Sequence, residues 1–268
     1  MTWTAILGFR LVTADLDRAT AFYAALGFAV ERREPIGGNE MTLLGLRGRG
    51  TRQALRLGAA RVDLDGFEDA GRPYPAGADA AALLFQHLAL VTDDAGAAWA
   101  RAEAAGATPI SCGGPVTLPA SAGGVTAQKF RDPDGHPLEF LRFPDAMSRG
   151  WRGTGLLGID HSAVSVSEVA SSERFYAGHG LVRGDSSLNR GSTQVKLDGL
   201  EGVEVDVVAL TPPVAATPHL ELLGYRHPQG AAGVARRPND IAATRIVWRA
   251  EQAALVRDPD GHLHQQEP

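Results

Sequence analysis

One six-residue string constrains this chain most. Arg131-Asp132-Pro133-Asp134-Gly135-His136 recurs letter for letter as Arg257-Asp258-Pro259-Asp260-Gly261-His262. An internal identity of this kind means that one supersecondary unit is used more than once. Asp-Pro-Asp-Gly is turn chemistry, because proline presets one dihedral and glycine supplies a positive one. Strand-like residues flank the first copy, 125–130 before it and 137–143 after it. Each copy is therefore predicted to be the tip of a β-hairpin that shapes the fold and does no chemistry.

A second repeat supports the first. Phe22-Tyr23-Ala24 recurs as Phe175-Tyr176-Ala177. Each copy follows an alternating apolar segment and precedes a glycine, Gly27 or Gly180, that can end a helix. The Phe-Tyr pairs are predicted to be buried anchors. They lie further apart than the two turns do, so the second half lacks a stretch between its landmarks. The loss falls where the first half has the helix-like run 95–105. Four units result, at about 4–67, 85–143, 158–225 and 241–266, each full one reading strand, helix, then several strands. The fourth reads as a helix-less remnant. Residues 69–77 and 145–155 read as linkers, which divides the chain into halves at 1–144 and 157–268.

Composition narrows the function. Apolar residues make up 44% of the 268 and charged residues 21%, the balance of a folded globular chain. A formal charge of -5 argues against nucleic acid as a partner, which needs a basic excess or stripe. Arg47, Arg49, Arg52, Arg56 and Arg61 are read as decorating a solvated hairpin. The single cysteine, Cys112, allows no internal disulfide and fits a reducing, cytoplasmic setting. No signal peptide is read at the N-terminus, and the most apolar stretch, 80–91, is too short and too polar to cross a membrane.

A strand-start histidine, Asp15-Leu16-Asp17-Arg18 at a helix entry, Phe22-Tyr23, Leu26-Gly27-Phe28 and the Arg-Asp-Pro-Asp-Gly-His turns together resemble the vicinal oxygen chelate superfamily. That group includes glyoxalase I, extradiol dioxygenases and the fosfomycin- and bleomycin-resistance proteins. The resemblance covers nearly the whole chain and implies an α+β fold of four βαβββ-type modules, paired into two half-closed sheets, with the fourth module degenerate. It also implies a cup in each sheet. The family's metal, where present, is held by a histidine from a module's first strand and a carboxylate from its last.

Carried over residue by residue, the resemblance puts His87 and Glu139 in metal-ligand positions of the second unit and His161 and Glu221 in those of the third. In the first unit Gly8 stands where histidine is usual, and Asp63 stands at the carboxylate position as a third ligand or general base. Arg10 shares the face of Gly8 and is expected to meet an anionic group of a ligand. In the fourth unit Gln265 replaces the carboxylate. With neighbouring units paired, the first cup would hold Arg10, Asp63, His87 and Glu139, with Asp63 and Glu139 as catalytic carboxylates. The second would hold only His161 and Glu221, so the first is expected to be the functional one.

Two functions stay open on the residues alone. One is a metal-assisted lyase, isomerase or dioxygenase acting on a small oxygenated molecule, with one divalent ion (Zn, Ni, Mn or Fe). The other is a metal-free protein that binds or sequesters a small molecule. The expected partner in both is a small-molecule ligand, with neither nucleic acid nor membrane, and the chain as monomer or homodimer.

Overall fold

Each full unit starts its helix the same way. Asp15, Asp94 and Glu168 sit in extended backbone and accept hydrogen bonds from the next free backbone amides, which caps the three helices at equivalent points. The computed structural model describes every residue except Met1, Asp145, Met147, Ser148, Ala232 and Val234. Part of the linker read at 145–155 thus lies outside the described residues.

Unit one comprises β1 (Ala5–Val12), α1 (Leu16–Leu26), β2 (Ala29–Pro35), α2 (Gly38–Leu43), β3 (Gly50–Leu57) and β4 (Ala60–Phe67). Unit two comprises β5 (Gln86–Thr92), α3 (Ala95–Ala104), the short β6 (Thr108–Pro109) and β7 (Val116–Thr117), then β8 (Thr126–Arg131) and β9 (Pro137–Arg142). Unit three comprises β10 (Leu156–Ser165), α4 (Val169–Gly178), β11 (Val182–Arg190), α5 (Ser192–Asp198), β12 (Glu204–Thr211) and β13 (His219–His227). Unit four is β14 (Arg245–Arg249), β15 (Ala254–Arg257) and β16 (Leu263–Glu267), without a helix between β14 and β15. No helix among the described residues is long and apolar enough to cross a membrane.

The strands form two mixed sheets, as the α+β reading of paired modules requires. The seven-stranded sheet runs β15-β16-β14-β1-β4-β3-β2, and the nine-stranded one runs β11-β12-β13-β10-β5-β9-β8-β6, with β7 beside β8. Unit one therefore pairs with unit four, and unit two with unit three. The cups expected from neighbours in the chain are not the ones formed. Antiparallel pairing of first strands, β1 with β14 and β5 with β10, joins the modules. Residues 68–85 connect β4 to β5 and are long enough to pass from one sheet to the other.

Neighbouring units meet instead through the repeated turns. The Tyr23 hydroxyl donates to Asp132 at 2.9 Å, and Tyr176 donates to Asp258 at 2.8 Å. The last turn residue reaches the end of a first strand in both halves. His136 Nε2 donates to the Val12 carbonyl at 2.8 Å, and His262 Nε2 donates to the Ser165 carbonyl at 2.9 Å. The two repeats legible in the sequence are thus two sides of one latch, made twice.

Strand alternation separates core from cup. Phe9 and Leu11, Val62 and Leu64, Leu88 and Leu90, Leu138 and Phe140, Leu220 and Leu222, and Ile246 and Trp248 all enter one core that draws on both sheets and on α1 and α3. Phe22 and Tyr23 lie in that core, 2% and 0% exposed, as does Tyr176, while Phe175 packs at its rim. Phe22→Ala is expected to cost ~3–5 kcal/mol, and Phe175→Ala clearly less. Equal losses for the two in denaturant unfolding would contradict this placement.

The core also holds charge-neutral histidines. His264 Nδ1 accepts from Trp248 Nε1 at 2.9 Å and its Nε2 lies 3.1 Å from the Tyr176 hydroxyl, so the ring carries one proton. Burial pushes His262 and His264 down to about 3. The unfolded chain takes up these protons near the ordinary histidine value, ~6.5, and the folded chain does not. Stability is therefore expected to fall as pH drops from ~6.5 through 3. A melting temperature flat across that range, or one left unchanged in its pH dependence by His264→Gln, would count against it.

Candidate functional site

The residues of the nine-stranded cup are set by the register of four strands. On the antiparallel β5–β10 pair, His87 stands opposite Ala163 and His161 opposite Ala89. On the parallel neighbours, Glu139 of β9 stands beside Ala89 and Glu221 of β13 beside Ala163. Each half thus supplies one histidine and one glutamate, and the small alanines leave room between them. The structure brings His87, Glu139, His161 and Glu221 together, which neighbour-based pairing had divided between two cups.

The four groups converge closely. His87 Nε2 lies 3.0 Å and His161 Nε2 3.9 Å from the same Glu139 oxygen, and His161 Nε2 lies 3.4 Å from Glu221 Oε2. Both imidazoles and Glu139 are buried. Despite the short distance, neither Nε2 makes a hydrogen bond of acceptable angle, and His87 Nδ1 has none either. Buried ring nitrogens without hydrogen bonds are costly in an ordinary core. Donor atoms of His87, Glu139 and His161 all lie within 4.8 Å of one another. Two imidazoles and two carboxylates form the donor set that borderline first-row divalent metals take, so these residues fit such an ion.

The surroundings hold the rings in place. A register shift between Ile159 and His161 turns Asp160, and its carboxylate accepts from His161 Nδ1 at 2.9 Å. That contact aims Nε2 into the cup, as an outer partner does for a ligating histidine. Burial disfavours the His161 charge, but Glu221, Asp160 and Glu139 outweigh it and lift the ring to about 9. Burial also opposes ionisation of Glu221, yet His161 and His219 hold it at about 2. For His87 burial wins, and its value is lowered despite Glu139. His219, beside His161 in register, puts Nε2 3.4 Å from Glu221 Oε1.

Above these groups lies a cavity of about 560 Å³. Leu141, Phe143, Val125 and Leu197 form an apolar wall, and Ser186, Ser187 and Asn189 stand at the mouth. Lys129, beside Glu139 in register, donates to Asp198 at 2.6 Å, and Asp198 also accepts from Gln194 and Tyr225. This clasp ties α5 across the cup. Asp160 and Lys129 were not singled out from sequence. A usable signal was the matching His-x-Ala of 87–89 and 161–163, which marks β5 and β10 as partners.

The seven-stranded cup carries a different chemistry at the same positions. By register, Gly8, Asp63, Arg245 and Gln265 stand where His87, Glu139, His161 and Glu221 stand in the other sheet. Asp63 and Arg10 are thus not in the cup of His87 and Glu139, which corrects their expected grouping. A Cβ on Gly8 would meet the Arg61 carbonyl oxygen at 2.6 Å, so the glycine admits the neighbouring strand and not a ligand. Arg10 contacts Asp63 at 3.3 Å, Glu40 at 2.6 Å and Glu267 at 2.5 Å. Arg52 grips Asp65 with two nitrogens, at 2.7 and 2.8 Å, and is buried, unlike the solvated residue expected from its arginine-rich segment.

Comparison with known proteins agrees with this architecture. The chain aligns over 98% of its length with a glyoxalase I variant from Zea mays, at 16% identity, 93% coverage of that chain and a TM-score of 0.65. It aligns over its full length with a proposed dioxygenase from Bacillus subtilis, at 12% identity, 86% coverage and a TM-score of 0.58. At these identities the likeness shows the fold. No curated protein matches the sequence. The profile of one protein family matches residues 4–140, half of the chain, and on that match the chain belongs to the glyoxalase/bleomycin resistance protein/dioxygenase superfamily.

Proposed function

We propose that the nine-stranded cup binds one divalent metal ion through His87, Glu139, His161 and Glu221 and acts on a small molecule with oxygens on adjacent atoms, as an isomerase or lyase that moves a proton. One observation carries this reading: two buried imidazole nitrogens without hydrogen bonds meet on one glutamate oxygen. Bound there, the ion would supply Lewis-acid polarisation of a substrate oxygen. The protein supplies the rest. Asp160 orients His161, the apolar wall excludes water, and α5 covers the substrate. Glu221 is the more exposed carboxylate, and its Oε1 lies 3.4 Å from His219 Nε2. A proton taken by Glu221 therefore has a route toward the mouth.

A second reading has its own support. His87, Glu139 and His161 alone form the two-histidine, one-carboxylate set of non-haem iron oxygenases. Glu221 would then serve as the acid–base group of a dioxygenase. The test begins with elemental analysis of purified protein, followed by chelation and a thermal-shift series with Zn, Ni, Mn and Fe(II). About one ion per chain, lost to chelator with a fall in melting temperature, is expected. A protein without metal that none of the four ions stabilises would sink both readings and favour a metal-free binder.

A further inference from the structure

We propose that the seven-stranded cup is a binding site for a small carboxylate, which Glu40 fills as an internal ligand. The Glu40 carboxylate accepts four hydrogen bonds from the cup. Arg52 grips it with both terminal nitrogens, at 3.0 and 2.8 Å, Arg10 donates at 2.6 Å, and Gln265 donates at 2.9 Å. Planar, two-point contact from arginine is how proteins recognise a free carboxylate. Burial disfavours the Glu40 charge, but the Arg52 and Arg10 guanidiniums hold it at about 2.

Besides Glu40, helix α2 is anchored by Met41 within it and by the buried Ile36 and Leu44 at its two ends. Within α2 only Met41 is buried. Gly37 and Gly38, its N-cap and first residue, lie in open space, and Gly45 follows it at a φ of +66°, which favours glycine. The equivalent helix of the other sheet, α5, buries Gln194, Leu197 and Asp198 and is tied down by backbone. Its Lys196 carbonyl accepts from the Cys112 amide at 2.7 Å, and its Leu197 carbonyl accepts from the Ser111 hydroxyl at 2.7 Å. Solvent reaches the rim of the seven-stranded cup at Arg61 and Glu267, whose side chains are 27% and 29% exposed.

Withdrawal of Glu40 leaves the guanidiniums of Arg10, Arg52, Arg61 and Arg245 facing only Asp63, Asp65 and Glu267. One positive charge is then in excess, and one carboxylate restores neutrality. The fitting ligand is a small mono- or dicarboxylate, since the Arg52 fork and Gln265 approach it from opposite ends of the sheet floor.

Two measurements test the site, and neither depends on metal in the other cup. In Glu40→Ala, acetate is expected to raise the melting temperature saturably, beyond chloride of equal ionic strength. Arg52→Gln in the same background should abolish that rise. In the unaltered protein, malonate is expected to speed amide hydrogen exchange across 38–43 several-fold while β3 and β4 stay protected. Stabilisation of Glu40→Ala by acetate no greater than by chloride would overturn the proposal. So would exchange at 38–43 that malonate leaves unchanged, and the network would then be a fixed structural plug.

Discussion

His87→Ala and His161→Ala are expected to leave a folded protein that no longer retains a divalent ion. Each substitution removes one of two imidazoles that meet on Glu139. His161→Ala also loses the Asp160 contact, but His87→Ala removes a ring with no hydrogen bond at either nitrogen, so its metal-free form should be at least as stable as the metal-free parent. Stability and metal affinity should thus move in opposite directions, which a merely structural histidine would not produce. Asp160→Asn should weaken binding by about 10–100-fold, the usual cost of losing an outer partner. Asp63→Asn, in the other sheet, should leave affinity unchanged. Elemental analysis with calorimetric titration decides: a His161→Ala protein that binds metal like its parent refutes the assignment.

The second large effect is one of stability. Arg245 is fully buried, and its guanidinium pairs with the equally buried Asp65. Asp65 also accepts from Nε and Nη2 of Arg52. Asp65→Ala strips Arg245 of its counter-charge and leaves Arg52 with Glu40, and it is expected to cost ~3–5 kcal/mol, because an unpaired buried charge keeps its desolvation penalty. Replacing the pair together, Asp65→Leu with Arg245→Met, should recover most of the loss. Urea unfolding gives both values, and a loss below ~1 kcal/mol in the single variant would show that water reaches the site.

The modules and the two elements of each latch could be read from local signals, and the family resemblance supplied all four metal-type strand positions. Turn chemistry, helix caps and strand alternation act within a few residues, so the repeats at 131–136 and 257–262 and the Phe-Tyr pairs marked the fold. His264 and Gln265 lie on opposite faces of β16, as strand alternation requires. Which module joins which was missed. Strand-to-strand pairing across β5 and β10 depends on contacts between residues far apart in the chain, and its local trace, the matching His-x-Ala strings, went unread. Adjacent units were taken as partners, so Asp63 was grouped with His87 and Glu139, while His161 and Glu221 were set apart. Arg245 was overlooked for a related reason: an arginine at a ligand position looks like surface charge until its counter-ion, Asp65, is placed beside it.

The outer-with-outer, inner-with-inner pairing of units has a consequence for the chain as a whole. A fragment holding only units one and two would carry two unmatched first-strand edges, β1 and β5, one in each sheet. Two such fragments can satisfy both needs in each other if β5 meets β5 and β1 meets β1 about a twofold axis. The antiparallel β5–β10 seam, with its opposed His-x-Ala strings, has that geometry within a single polypeptide. The chain is thus laid out as a fused symmetric dimer. Within one polypeptide the two seams need not match: one carries imidazoles and carboxylates, and the other closes over buried arginines.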